Sequence, residues 1–254
     1  MDFIQKIKKV VGAYFGLFVQ KRELLIVLAP GRVGSIALNA SLRAVGVFSF
    51  KLEFLEKDLT GAAFFLKNHI FKKNKPAKLI TIIRDPVAMM LTYYMGKAYY
   101  GWLTEAQKAL ADGDLEKLKK HFISDVLTTD RLTSHLDWFT TDFQKLTNID
   151  VYSYPFNTNK RWSIVENGLY PTLIFRTELD DEIKVNIIKN FLNIDTFTLS
   201  RANTADVKAY KDTYEKFKDY LTLPAELLNN IYSSTYCTHF FSAEEISILK
   251  SRWS

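Results

Sequence analysis

Leu24-Leu25-Ile26-Val27-Leu28-Ala29-Pro30-Gly31-Arg32-Val33-Gly34-Ser35-Ile36 is the stretch whose reading decides the fold. Leu24 to Leu28 form a short unbroken apolar run, the pattern of a strand buried on both faces of a parallel sheet. Ala29-Pro30-Gly31 ends it, and Ile36, Leu38, Ala40 and Leu42 predict a helix from Ser35 to Val45 with Gly46 as its stop. Val47 to Phe50 then read as a second strand, which makes the whole a βαβ unit.

Two more apolar runs extend the sheet. Leu79 to Ile83, before Arg84-Asp85-Pro86, predicts a third buried strand, and Thr172 to Phe175 a later one. Between them, Leu103 to Leu127 and Thr128 to Leu146 have helical periodicity, and Asp150 to Tyr154 reads as a short strand before Pro155. No repeat, low-complexity tract or Pro/Gly/Ser-rich linker divides the chain. The reading is therefore an α/β fold with helical additions.

Composition narrows the class. The chain has 254 residues, 48% hydrophobic and 24% charged, enough to bury a core and too apolar for a disordered segment. Cys237 is the single cysteine, so no internal disulfide forms, zinc-ligand spacing is absent, and a reducing, cytoplasmic compartment fits. Thirty-four Lys and Arg against 28 Asp and Glu leave +6, which suits anionic partners. The excess is clustered. Lys67, Lys72, Lys73, Lys75 and Lys78 occur with no acid between them, and Lys6, Lys8, Lys9, Lys21 and Arg22 face only Asp2. Each cluster reads either as a solvated face or as a site for anionic lipid or polymer.

Val10 to Val19 is too short to span a bilayer and no small-residue cleavage site follows it, so neither a membrane span nor a signal peptide is expected. Phe3, Ile4, Ile7, Val10, Val11 and Tyr14 recur at helical spacing. They predict an amphipathic helix within residues 1–22, lying on the protein or on the inner membrane surface as a peripheral contact, ahead of one domain over 23–254.

The loop from Ala29 to Ile36 joins a strand end to a helix start, where backbone N–H groups and the positive helix end converge. Gly31 and Gly34 allow close backbone approach, Arg32 brings a forked cation and Ser35 a hydroxyl. A plain tight turn is the bland alternative. A Walker loop needs lysine before the Ser/Thr, and here that residue is Gly34, which disfavours NTPase chemistry. Arg84 follows the third strand, and Thr92 lies eight residues on, where a helix can return its hydroxyl to the same strand end. Ligands of open parallel sheets sit beyond strand carboxyl ends. Arg32/Ser35 and Arg84/Thr92 are thus two oxyanion sites on one edge, as a nucleotide with two separated phosphates requires, unless Arg84 pairs with Asp85 or Asp85 only caps a helix.

These two motifs resemble the nucleotide signatures of sulfotransferases. Gly31-Arg32-Val33-Gly34-Ser35 is similar to the Gly-Lys-Val-Gly-Ser loop of the bacterial putative capsular polysaccharide synthesis family. The resemblance extends through Asp150 to Phe156, the Tyr210/Tyr214/Phe217 stretch and Tyr236 to Ile246, as far as Trp253, covering roughly residues 23 to 253. It implies a P-loop-like three-layer sandwich with a central parallel sheet. It also implies sulfuryl transfer from 3′-phosphoadenosine 5′-phosphosulfate, leaving 3′-phosphoadenosine 5′-phosphate, to a hydroxyl of a capsular or other cell-surface carbohydrate. Gly31, Arg32, Val33, Gly34, Ser35 and Ile36 would hold the phosphosulfate, and Arg84 with Thr92 the 3′-phosphate. Ile36 stands where many members have a second hydroxyl, and Thr92 where serine is commoner. The competing classes are a P-loop-like nucleotide kinase and a non-catalytic binder of anionic polymer; no nucleic-acid-binding signature is present.

Sulfuryl transfer needs a base for the acceptor proton and a cation for the leaving oxygen. Arg32 suits the second role. Glu53 follows the second strand, in the place where family members often carry histidine, and is the candidate base; pairing with Lys51 or Lys57 is its bland alternative. Of His69, His121, His135 and His239, only His239 lies in the family-like C-terminal segment, beside Tyr236, where both could meet the acceptor. Arg201 and Asn203 form a polar pair that either closes over the 3′-phosphate or caps the next helix. Tyr93, Tyr94, Tyr99, Tyr100 and Trp102 offer faces for a sugar, or core.

Overall fold

The computed structural model describes residues 11–12, 14–53, 61–200 and 210–254. Five strands, β1 (Leu25–Leu28), β2 (Ser49–Leu52), β3 (Lys78–Ile83), β4 (Trp162–Val165) and β5 (Thr172–Arg176), form one sheet in the order β2-β1-β3-β5-β4. All neighbours are parallel except β4 and β5. β1 sits between β2 and β3 and all four of its side chains are buried, as its unbroken apolar run predicts. Each such side chain contributes roughly 1.5–3 kcal/mol through burial. Helices Ser35–Ala44, Ala62–His69 and Pro86–Tyr99 lie in the connections between sheet strands, and Asp181–Leu192 follows the last of them, β5.

Several sequence expectations shift. β2 starts two residues late, at Ser49, because its register pairs Leu28 with Leu52; Val47 and Phe48 lead in, and Phe48 accepts from the Leu25 amide. The helix expected over Leu103 to Leu127 breaks at Gly113, whose φ of 69° ends Thr104–Asp112, and restarts where Asp114 caps Leu115–Phe122. The next one divides into Asp130–Leu136, a π-helical turn Phe139–Phe143 and Gln144–Thr147. The strand expected at Asp150 to Tyr154 is instead a 3-10 turn, Val151–Ser153, because the Asp150 carboxylate accepts from the Tyr152 amide and curls the backbone. β4 escapes sequence reading: it is a four-residue edge strand with only Val165 buried.

Among the described residues no helix is long and apolar enough to cross a membrane. Phe3, Ile4, Ile7 and Val10 of the expected amphipathic helix lie outside the described residues; Val11 and Tyr14 are helical and exposed.

Candidate functional site

β1, β2, β3 and β5 run parallel, so the loops after them meet along one edge. The loop after β1 turns sharply: Arg32 has a φ of 69° and Gly34 a φ of 91°. Gly34 begins the helix Ser35–Ala44, whose first N–H groups receive no side-chain cap. They point outward as the positive end of the helix. Donors from the neighbouring strands fix the loop. Arg84 Nη1 donates to the Arg32 carbonyl at 2.6 Å, and the Thr177 hydroxyl donates to the Val33 carbonyl at 3.2 Å. Val33 and Ser35 are buried and Ile36 is half-exposed.

Arg84 is itself held at its backbone. The Tyr236 hydroxyl accepts from the Arg84 amide at 3.1 Å and donates to its carbonyl at 2.9 Å. The sequence left open an Arg84–Asp85 ion pair or a helix cap, and the cap is what forms. Asp85 is buried and caps Pro86–Tyr99 by accepting from the Val87 and Ala88 amides. Its carboxylate also accepts from the Tyr232 hydroxyl at 2.6 Å and from Trp253 Nε1 at 3.0 Å. Burial pushes the Asp85 carboxyl above its ordinary range, against the pull of the Tyr232 donor. The guanidinium of Arg84 thus spends one donor on the Arg32 carbonyl and keeps its other N–H groups.

Glu53 stands beside the same loop. A Cβ built on Gly31 would lie 3.8 Å from its carboxylate, so Gly31 is where the backbone and this carboxylate come close. The expected alternative is also realised: Lys51 Nζ pairs with Glu53 Oε1, with the Glu53 side chain one-third exposed. Trp138 Nε1 fixes the backbone by donating to the Glu53 carbonyl at 2.8 Å. Thr92 turns its hydroxyl back on the Ala88 carbonyl at 3.0 Å and meets the Tyr214 hydroxyl at 3.3 Å. With its proton on the Ala88 carbonyl, Thr92 accepts from Tyr214, and it can donate to a phosphate oxygen, as expected of it, only if the hydroxyl turns away from that carbonyl.

Two cations that sequence reading missed complete the edge. Arg32, Lys97 and Arg131 surround the Tyr93 ring at 6.0, 5.6 and 5.4 Å from its centroid, and Arg131 also donates to the Tyr93 hydroxyl. Among the described residues no carboxylate pairs with any of the three. The strain shows on Lys97, whose pKa is lowered by burial and by the charges of Arg32 and Arg131. Such a cluster lowers its own repulsion by taking an anion. Lys97 was legible in principle, five residues after Thr92 on the same helix; Arg131 comes from a distant helix and left no local signal. The aromatic group divides. Tyr94 is core, donating to the Leu118 carbonyl at 3.1 Å, whereas Tyr100 and Trp102 are 65% and 70% exposed, with Lys97 over the Trp102 ring.

Tyr236, expected at the acceptor, is buried, with its hydroxyl committed to the Arg84 backbone; it positions Arg84 and presents no free group. His239 is half-buried among Tyr152, Phe240 and Phe156, ring centroids 5.1, 4.7 and 6.4 Å away, rather than at the loop. Arg201 and Asn203 lie outside the described residues. Cys237 is buried, which pushes its thiol up to about 12. Glu178, unremarked in the sequence, accepts from the Asp85 amide at 3.2 Å.

Burial lowers the His239 pKa below its ordinary 6.5. As pH falls below that value the unfolded chain takes up the proton first, so stability is lost toward acid. His239→Phe should show a smaller fall in Tm than the parent between pH about 7.5 and about 5.5 in paired thermal scans. An unchanged fall would assign that acid sensitivity to other groups.

No curated protein and no solved structure matches the chain. A family model matches residues 112–242, just over half the chain, under the description "putative capsular polysaccharide synthesis protein". The matched span contains Arg131, Asp150 to Phe156, Tyr232 and Tyr236, and excludes Arg32, Glu53 and Arg84. By that match the chain belongs to the NKWYS family of putative capsular polysaccharide synthesis proteins.

Proposed function

We propose that the chain is a sulfotransferase of P-loop-like architecture, moving a sulfuryl group from 3′-phosphoadenosine 5′-phosphosulfate to a carbohydrate hydroxyl in capsular polysaccharide synthesis. The observation that carries this is the juxtaposition at one sheet edge of a glycine loop, Arg84 bonded to that loop, and a cation cluster around Tyr93, with the Glu53 carboxylate at the loop's side. A kinase reading lacks the lysine before Ser35 that a Walker loop supplies.

In the step, the acceptor oxygen forms a bond to sulfur while the bond from sulfur to the bridging phosphate oxygen breaks. The acceptor proton passes to the Glu53 carboxylate, and Arg32 meets the negative charge growing on the leaving oxygen. Lys51, paired with that carboxylate, holds it in place before the acceptor arrives. The exposed faces of Tyr100 and Trp102 are suited to the apolar face of a sugar.

Binding tests this without knowledge of the acceptor. 3′-Phosphoadenosine 5′-phosphate should raise Tm in the presence of EDTA, because fixed cations supply the counter-charge. AMP, which lacks the 3′-phosphate, should bind more weakly, and Arg84→Ala should shrink that preference by roughly 10- to 100-fold, the worth of one charge-assisted hydrogen bond. A shift with ATP and magnesium alone would overturn the reading, and an equal loss for both nucleotides would place Arg84 away from the 3′-phosphate.

A further inference from the structure

The opposite edge of the sheet has a different chemistry. There a cavity of about 470 Å3 opens below the starts of β1, β3 and β5, with Leu17, Ile70 and Leu169 in its wall and Lys21, Arg22 and Lys75 at its rim. It brings together the two basic clusters that lie some fifty residues apart in the sequence. Lys72 and Lys73, on the 3-10 turn Phe71–Lys73 that leads to Lys75, are exposed. Glu23, the acid on this rim, is already paired with Lys78 at 2.9 Å.

The segment before β1 is docked the unusual way round. Gly16 is buried, and a Cβ there would lie 2.5 Å from the Phe48 ring, so the segment packs through its glycine side with Leu17 toward the cavity. Val11, Tyr14, Phe15 and Val19 lie on the other side and are each at least half exposed. An amphipathic helix that only stabilised this protein would turn that apolar row inward. An apolar row beside a basic rim is instead the arrangement of a surface that enters the headgroup region of an anionic bilayer.

We propose that this amino edge is a docking face for membranes containing anionic phospholipid. Val11, Phe15 and Val19 enter the boundary between headgroups and acyl chains, and Lys21, Lys72, Lys73 and Lys75 meet the lipid phosphates. A soluble anionic polysaccharide would satisfy the lysines and leave the apolar row without a role, which is why the bilayer is the occupant chosen.

The test is co-sedimentation of the full chain, without nucleotide, with vesicles of phosphatidylcholine alone or mixed with phosphatidylglycerol. Binding is expected on the mixed vesicles, weakening as salt is raised. Lys72→Glu/Lys73→Glu/Lys75→Glu should lower the partition coefficient by roughly a hundredfold or more, about fivefold for each positive charge removed. Phe15→Ser/Val19→Ser should lower it by roughly tenfold through lost apolar insertion. Both variants should keep the parent's Tm, which separates a surface effect from misfolding. No preference for phosphatidylglycerol would overturn the proposal. So would parent-like vesicle binding by the serine variant, or capture by a soluble anionic polysaccharide as strong as capture by the vesicles.

Discussion

Glu53→Gln is expected to lower turnover by roughly 10²- to 10⁴-fold, the usual worth of a positioned general base, while leaving affinity for 3′-phosphoadenosine 5′-phosphate within about twofold. The amide keeps the size and the approach to Gly31 but cannot take the acceptor proton. Release of 3′-phosphoadenosine 5′-phosphate from the sulfuryl donor, followed with a carbohydrate acceptor, reads the effect, and nucleotide-induced Tm shifts read the affinity. Full activity in the glutamine variant would reduce the Lys51–Glu53 pair to a structural feature of the β2 end and leave the base to another group.

The largest stability effect is expected at Asp85. Asp85→Ala removes the cap of Pro86–Tyr99 and leaves the Tyr232 hydroxyl and Trp253 Nε1 buried without an acceptor. A lost cap costs about 1 kcal/mol and each of the two stranded donors about 1–3, so a loss of about 3–7 kcal/mol is expected in denaturant titration. Asp85→Asn should lie between the two, since one oxygen still accepts. Because the same carboxylate sits next to Arg84, whose backbone is clamped by Tyr236, any residual folded fraction should bind nucleotide poorly. A loss under about 1 kcal/mol would mean that water or rearrangement satisfies those donors.

The C-terminal helices therefore act on the candidate site from behind. Tyr232, Tyr236 and Trp253 touch the Arg84-Asp85 step, while Glu245 pairs with the buried Arg176 at 2.7 Å at the end of β5. Most of this scaffold falls inside the span matched by the family model, and the loop cations other than Arg131 do not.

Leu24 to Leu28, Leu79 to Ile83 and Thr172 to Phe175 determined by themselves the three adjacent inner strands of the sheet, because a strand buried on both faces must be a continuous apolar run and few other structures bury one so short. With the second strand expected at Val47 to Phe50, those runs fixed which loops share an edge, since parallel strands put their carboxyl ends together; hence Arg32, Glu53 and Arg84 were legible as neighbours. Tertiary structure alone decided the rest. Asp150-Val151-Tyr152 has the composition of a strand, and a local side-chain hydrogen bond curled it into a turn. Arg131 joins Arg32 from about a hundred residues away, Tyr236 reaches Arg84 across 152 residues, and Gly16 sets which side of its segment faces out by resting on Phe48. The Asp150 turn is local but was outweighed in the sequence by strand-like neighbours; the other three are long-range contacts whose energy depends on geometry that no window of neighbouring residues contains.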